Sequence, residues 1–275
     1  MDPSLTRKHQ HLNSILRPMG RVAIAFSGGV DSTTLLRAAV EVLGSSQVLA
    51  LTSVAAAVPR REVAQAKTLA EKMGVALVEL VTDELDNPLY VVNDANRCYF
   101  CKNTLFRDCR RVATERGIEH VLYGAILDDL GDVRPGMRAA RELLIRGPLA
   151  EAQFSKDDVR QLARYWHLDV ADKPASACLA SRVTHGVPVT AKTLSKVERS
   201  EDFLHDLGFR QVRVRHHDEA SARIEVEPED LVKVAQRADE IFAFLQGVGY
   251  RYVSLDLGGY RQGALNPPAP IERSL

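Results

Sequence analysis

No stretch of the 275-residue chain stays apolar for the roughly 20 residues that a membrane helix needs, so no membrane partner is expected. The opening MDPSLTRKHQHLNSILRP carries Asp2 early and has no apolar core, so it does not read as a secretory signal. Cysteine is scarce: four residues, two of them in the C-x-x-C of Cys98 and Cys101, do not make a disulfide framework. Net charge is missing as well. With 36 basic and 36 acidic side chains, no global field draws the chain to nucleic acid or to a lipid surface. There is no internal repeat and no low-complexity segment. The expectation is a soluble, cytoplasmic protein, with 45% hydrophobic residues to build a sizeable core.

What is present is alternation. Apolar runs at 22–26, 48–52, 76–80 and 120–127 read as buried strands, separated by helical patterns at 32–43, 61–73 and 103–116. This predicts an α/β domain on a doubly wound parallel sheet, whose ligands sit beyond the carboxyl ends of the strands. A helix over 155–167 then leads into DKPASACLASRVTHGVPVT, where the domain boundary is placed. Residues 1–184 form the first domain and 185–275 a smaller α+β domain. The second is expected to run helix (191–207), strand (211–215), strand (222–226), helix (229–245) and strand (250–257). LNPPAPIERSL reads as a poorly ordered tail.

The sequence Ser27-Gly28-Gly29-Val30-Asp31-Ser32 joins the first strand to the first of those helices. A strand, a Gly-rich turn and a helix present bare backbone N–H groups to a phosphate. Gly28 and Gly29 allow close approach, and Ser27 and Ser32 add hydroxyls. Asp31 repels phosphate unless Mg²⁺ lies between them. The lysine of the G-x-x-x-x-G-K-S/T pattern is absent, so this is not a P-loop. S-G-G-x-D-S resembles the hallmark of the PP-loop ATP pyrophosphatases, in which the loop holds the pyrophosphate that leaves when AMP is transferred. Adenylation with ATP and Mg²⁺ is what that resemblance implies.

The cysteines sort by surroundings. Cys109 falls in the apolar stripe of Leu105, Phe106, Val112 and Ala113 and reads as core. Cys98 and Cys101 precede that helix, where its dipole favours thiolates. Their C-x-x-C could be redox-active, half a zinc knuckle or part of an iron–sulfur site, and no second pair exists for a zinc. Cys178 lies in KPASACLASR, a small-residue loop that exposes a thiol, followed by Arg182, whose guanidinium favours a thiolate.

RCYFCK at 97–102, GAILDDLGDVRPG at 124–136, KPASACLASR at 173–182 and the arginine-rich hairpin at 213–226 occur in one order. Over nearly its whole length the chain resembles the LarE-type ATP-dependent sulfur transferases of nickel-pincer nucleotide synthesis. The resemblance implies that the carboxylates of a pyridinium mononucleotide are adenylated and converted to thiocarboxylates. Cys178 matches the sulfur-donor cysteine, which some members sacrifice, leaving dehydroalanine. Other members hold a 4Fe–4S cluster on three cysteines, and with Cys98, Cys101 and Cys178 this chain resembles the cluster type. The family also implies a homo-oligomer and a sulfide or other sulfur donor.

Thr52 and Ser53 end the second strand, where PP-loop proteins contact adenine, and Lys102 could neutralise phosphate charge; Gly124 joins this ATP-binding set. Asp128, Asp129 and Asp132 with Arg134 could bind Mg²⁺, ribose or substrate, and Arg182 is placed with the substrate-binding residues Asp129 and Arg134. In the second domain Glu201 interrupts the stripe of Leu194, Val197, Leu204 and Leu207, and a carboxylate there needs a partner. Arg213, Arg215, Arg223 and Glu225 share one face of the hairpin, either a solvated face or a binding face. By resemblance Arg213 and Arg215 hold the substrate phosphate, and Glu201, Glu225 and Asp230 line a metal-binding spot. A PP-loop tRNA thiolase is the nearest alternative, with no basic or aromatic RNA platform to favour it. Single-use sulfur transfer from Cys178 is another. An amidating synthetase lacks a glutaminase segment, and a nucleotide-sensing module would use the cysteines for a regulatory metal.

Overall fold

In the computed structural model, residues 1–130, 135–174 and 176–261 are described. Asp132, Arg134 and the tail from 265 onward lie outside them. The chain divides into two compact units, one of residues 1–90 and 96–176, the other of 91–95 and 177–275. The division after Ser176 precedes the boundary at 184 read from the sequence.

Unit 1 opens with α1 (Pro3–Leu16), capped by the Asp2 carboxylate, then β1 (Val22–Ala25) and α2 (Val30–Leu43). There follow β2 (Val48–Ser53), α3 (Arg60–Lys72), β3 (Ala76–Leu80), the single turn α4 (Pro88–Val91) and the long α5 (Arg97–Glu115). β4 (His120–Tyr123), α6 (Leu127–Leu130), α7 (Pro135–Glu142), α8 (Pro148–Glu151) and α9 (Lys156–Tyr165) complete it. The strands form a four-stranded sheet in the order β3-β2-β1-β4, every pair parallel. Alternate residues feed two cores. Val22, Ile24 and Ala50 pack with α1, α2, α3 and α9, and Ala23, Leu49 and Leu51 with α5 and α7. A parallel sheet buried on both faces reads as continuous apolar runs, which is why the sequence disclosed it.

Two boundaries differ from expectation. The fourth strand ends at Tyr123, and Leu127 already starts α6. The helix read as beginning after the C-x-x-C starts at Arg97, so Cys98 and Cys101 lie inside α5.

Unit 2 holds α10 (Ala191–Asp206), β5 (Val212–His216), β6 (Ser221–Val226), α11 (Leu231–Gln236), α12 (Ala238–Val248) and β7 (Tyr252–Leu255). β5 and β6 are antiparallel and β7 joins β6 in parallel. Val212, Val214, Ala222, Ile224 and Val226 turn one sheet face to Leu204, Ile241 and Leu245. The helix expected over 229–245 is two helices, broken at Arg237. Residues 91–95 are built into this unit by Asn93. It is buried at φ +61°, and its amide donates to the carbonyls of Val183, Thr184 and Val187 at 3.3, 2.8 and 2.9 Å.

Candidate functional site

Gly29 caps α2 with extended backbone, so the first-turn N–H groups of that helix point out over the S-G-G-x-D-S turn. The turn is held by its own hydroxyls. Ser32 Oγ donates to the Gly29 carbonyl at 3.1 Å, accepts the Ser27 N–H at 3.3 Å and lies 3.2 Å from Ser27 Oγ. Gly28 sits at φ +71°, and a Cβ there would meet Ala66 of α3 at 3.2 Å. Gly124, just past β4, is closer still: a Cβ would lie 2.8 Å from the Ser32 nitrogen and 3.0 Å from the Asp31 carbonyl carbon. Only glycine lets the end of β4 approach the turn this closely. Asp31 does not face solvent alone. Lys156 Nζ, from the first turn of α9, lies 2.9 Å from both of its carboxylate oxygens.

Thr52 is buried and its hydroxyl donates to the Phe26 carbonyl at 2.6 Å, tying β2 to the segment that enters the turn. Ser53 Oγ is 3.2 Å from Thr82 Oγ1 and accepts the Ala55 N–H at 3.2 Å. Lys102 is exposed on α5, its ammonium 5.6 Å from the Phe106 ring centre. Asp129 accepts the Ile126 N–H at 3.1 Å, and Asp128 accepts the Lys156 N–H at 2.8 Å.

None of the four cysteines is in a disulfide. Cys98 is exposed and Cys101, one turn later on α5, is half-buried with its sulfur 3.9 Å from the buried Glu84 carboxylate. Cys109 is fully buried, and burial pushes its thiol up to about 12. Cys178 is half-buried at the start of a short 3-10 turn over Leu179–Arg182. Among the described residues no group of three or more His, Cys, Asp or Glu is gathered as a metal site.

In unit 2 the loop carrying Cys178 is fastened from below. The Cys178 carbonyl accepts the Ser181 N–H at 3.0 Å, the Ser181 hydroxyl at 2.7 Å and Arg182 Nη1 at 3.0 Å. Arg182, 2% exposed, spends the rest of its guanidinium on Glu201, with Nε and Nη2 each 2.9 Å from a carboxylate oxygen. Glu201 also accepts the Val214 N–H at 2.9 Å, so the partner its position required is Arg182 together with β5. The arginine face of the hairpin is enclosed rather than solvated. Glu225, 0% exposed, takes Arg215 at 2.6 Å and Arg223 at 3.0 Å, and Arg215 Nη1 donates to the Ser181 carbonyl at 3.1 Å. Burial, followed by the charge of Arg182, lowers the Arg213 guanidinium from its usual range; Arg213 lies 5.1 Å from the Tyr260 ring. Asp230 pairs with Lys233 at 2.7 Å.

Two residues at the site were not read from the sequence. Ser181 contributes through local hydrogen bonds that leave no periodic trace. Lys156 had a signal: a lysine in the first turn of a helix opposes the helix dipole, so helix stability does not explain it.

A family model described as NAD synthase matches residues 9–95. An uncharacterised protein of Synechocystis is 41% identical over 95% of this chain and 98% of its own length. A pyridinium-3,5-bisthiocarboxylic acid mononucleotide synthase of Lactiplantibacillus plantarum is 36% identical over 96% of this chain and 95% of its own. An uncharacterised protein of Methanocaldococcus jannaschii is 27% identical over 88% of this chain and 91% of its own.

Proposed function

Because the chain belongs to the LarE-type sulfur transferase family, we propose that it adenylates the carboxylates of a pyridinium biscarboxylate mononucleotide and converts them to thiocarboxylates. The observation that carries the first half is the phosphate turn with Gly124 pressed against it and a carboxylate, Asp31, at its mouth. ATP binds with its pyrophosphate on the Ser27–Ser32 turn, and Mg²⁺ fits Asp31, where the ATP phosphates supply further ligands. A substrate carboxylate oxygen attacks the α-phosphorus, the bond to pyrophosphate breaks, and an acyl-adenylate results. The acyl-adenylate supplies the leaving group that a carboxylate lacks, and positioning with charge neutralisation carries the step. Thr52, Ser53, Lys102 and Gly124 belong to the ATP side of this reading.

Sulfur presented at Cys178 then displaces AMP from the acyl carbon. Cys98, Cys101 and Cys178 are in no disulfide and none is fully buried, a soft donor set of the kind that iron–sulfur clusters take, although the described residues do not gather them into one group. They would hold a 4Fe–4S cluster, which when bound supplies a transferable sulfide. On this reading Arg213 and Arg215 take the substrate phosphate, and Asp129 and Arg134 lie on the substrate side. Arg182 with Glu201, Glu225 with Arg215 and Arg223, and Asp230 with Lys233 are already ion-paired, so a substrate role for Arg182 or a metal on Glu201, Glu225 and Asp230 would require those pairs to open. A sulfide or sulfur donor and assembly as a homo-oligomer complete the reading. No helix of the described residues is long and apolar enough to cross a membrane.

Pyrophosphate and AMP release, measured with the pyridinium biscarboxylate mononucleotide, with tRNA and with no acceptor, tests the proposal. Release that requires the mononucleotide is expected. Release driven by tRNA would make the protein a tRNA thiolase, and ATP binding with no release in any mixture would make it a binding module.

A further inference from the structure

Asp31 and Lys156 are 125 residues apart and come from the first turns of two different helices. The ammonium sits 2.9 Å from each carboxylate oxygen, on the side of Asp31 where a cation serves both oxygens at once. A divalent metal held by both oxygens would compete for that same side. The backbone beneath the lysine is fixed. Ser155 caps α9 in a reciprocal box with Asp158, Asp158 is tied to Lys8 at 2.6 Å, and the Lys156 N–H donates to Asp128 at 2.8 Å. Only the side chain, about one-third exposed, is left free to swing.

We propose that Lys156 is a built-in counter-cation for the metal position: it occupies Asp31 while the nucleotide site is empty and is displaced when Mg·ATP arrives. This rests on the adenylation reading. The reason for such a residue is electrostatic. A bare carboxylate at the mouth of a phosphate turn repels the polyphosphate it is meant to receive, whereas a paired one does not. Displacement then makes nucleotide binding depend on the metal, because Asp31 exchanges one cation for another rather than losing its charge partner. The same ammonium, released within reach of the turn, is available to phosphate oxygens.

The two halves of this idea move one variant in opposite directions. Binding of α,β-methylene-ATP is measured by calorimetry at varied Mg²⁺ and again in EDTA, on wild type, Lys156→Gln and Lys156→Arg. In Lys156→Gln the half-saturating Mg²⁺ falls about two- to fivefold, the equilibrium equivalent of a partly exposed ion pair. Its metal-free binding weakens by about tenfold or more, since the phosphates now meet an unpaired carboxylate. Lys156→Arg keeps a half-saturating Mg²⁺ at or above that of wild type. A structural role for Lys156 would weaken binding in both conditions. An unchanged or higher Mg²⁺ requirement in Lys156→Gln, or unchanged binding in EDTA, overturns the proposal while the adenylation reading stands. A wild-type protein that does not bind the analogue at all overturns both.

Discussion

Arg182 and Glu201 meet edge to edge, Nε on Oε1 and Nη2 on Oε2, both at 2.9 Å, and the remaining Nη1 of the arginine holds the carbonyl of Cys178 at 3.0 Å. The placement of the Cys178 backbone therefore depends on an ion pair that is out of water at both ends. Each partner alone would be a buried, uncompensated charge.

Replacing Glu201 with Ala should accordingly destabilise unit 2 by about 3–5 kcal/mol, the usual loss when one half of a buried pair is removed. Urea denaturation read by circular dichroism measures it. A loss below about 1 kcal/mol, the range of exposed pairs, would mean that Arg182 finds another partner and that the Cys178 loop is not secured through Glu201.

Asp31 offers the contrasting case. Its pair with Lys156 is partly exposed, so Asp31→Ala should change stability by no more than about 1 kcal/mol. AMP formation should nevertheless be abolished, because on the proposed reading this is the carboxylate that holds Mg²⁺. Wild-type rates of pyrophosphate release in a folded Asp31→Ala protein would remove the phosphate turn from the reaction.

Gly124→Ala places a methyl 2.8 Å from a backbone nitrogen at the start of α2. Backbone cannot yield as a side-chain tip does, so β4 and the turn must separate. A stability loss of about 1–3 kcal/mol, typical of overpacking, is expected, together with weaker nucleotide binding. Equilibrium denaturation and analogue binding on the same sample check both. Unchanged nucleotide affinity would show that the turn keeps its shape without this contact.

What the sequence disclosed, and what it withheld, follows the range of the interactions involved. The apolar run at 76–80 coincides with β3 end to end, and the β1, β2 and β4 runs begin where the strands do, because a sheet covered on both faces writes unbroken apolar runs. The start of α5 is not legible because Arg97–Lys102 is mixed in polarity and only the later stripe through Cys109 shows a helical period. α1 is a helix the sequence reading does not include, although Leu5, Leu12 and Leu16 mark a buried stripe. At the site, the S-G-G-x-D-S turn and the cysteines are local motifs and were legible. The need of Glu201 for a partner was legible too, but not that Arg182 would fill it. Asn93, which pins a segment some 90 residues away, offers no local pattern at all.

Histidines supply a pH prediction. His216 is fully buried with Nδ1 3.0 Å from the Tyr250 hydroxyl, and burial, followed by the Lys196 charge, holds its pKa below the ordinary 6.5. His217, 3.2 Å from the Thr184 hydroxyl, is lowered by burial and then by Arg223. A lowered imidazole binds its proton more readily in the unfolded chain. Its stabilising contribution is whole above the unfolded pKa and is lost as pH falls through 6.5 toward the folded value. Thermal melting should therefore drop between pH 7 and pH 5, with a shallower slope in His216→Phe. A melting temperature that rises as pH falls over this window would contradict the assignment.

The last prediction separates repeated from single use of the sulfur. If Cys98, Cys101 and Cys178 hold a cluster, protein purified without oxygen carries iron and acid-labile sulfide, and Cys98→Ala loses both. Cys178 should then survive many turnovers chemically intact, because the transferred sulfur never belonged to its side chain. The alternative consumes the residue. Cys178 sulfur attacks the acyl carbon, AMP leaves, and loss of the Cα proton with cleavage of the Cβ–Sγ bond releases the thiocarboxylate and leaves dehydroalanine. Mass spectrometry of the peptide containing Cys178 after anaerobic turnover reads the difference directly, as retention or loss of the elements of hydrogen sulfide. Cys109 serves as the internal control: buried, with its thiol pushed up to about 12, it should stay unmodified under either course and resist alkylation at pH 8. Iron-free protein that loses the sulfur of Cys178 once per chain would rule out the cluster, and an intact Cys178 with many products per chain would rule out its consumption.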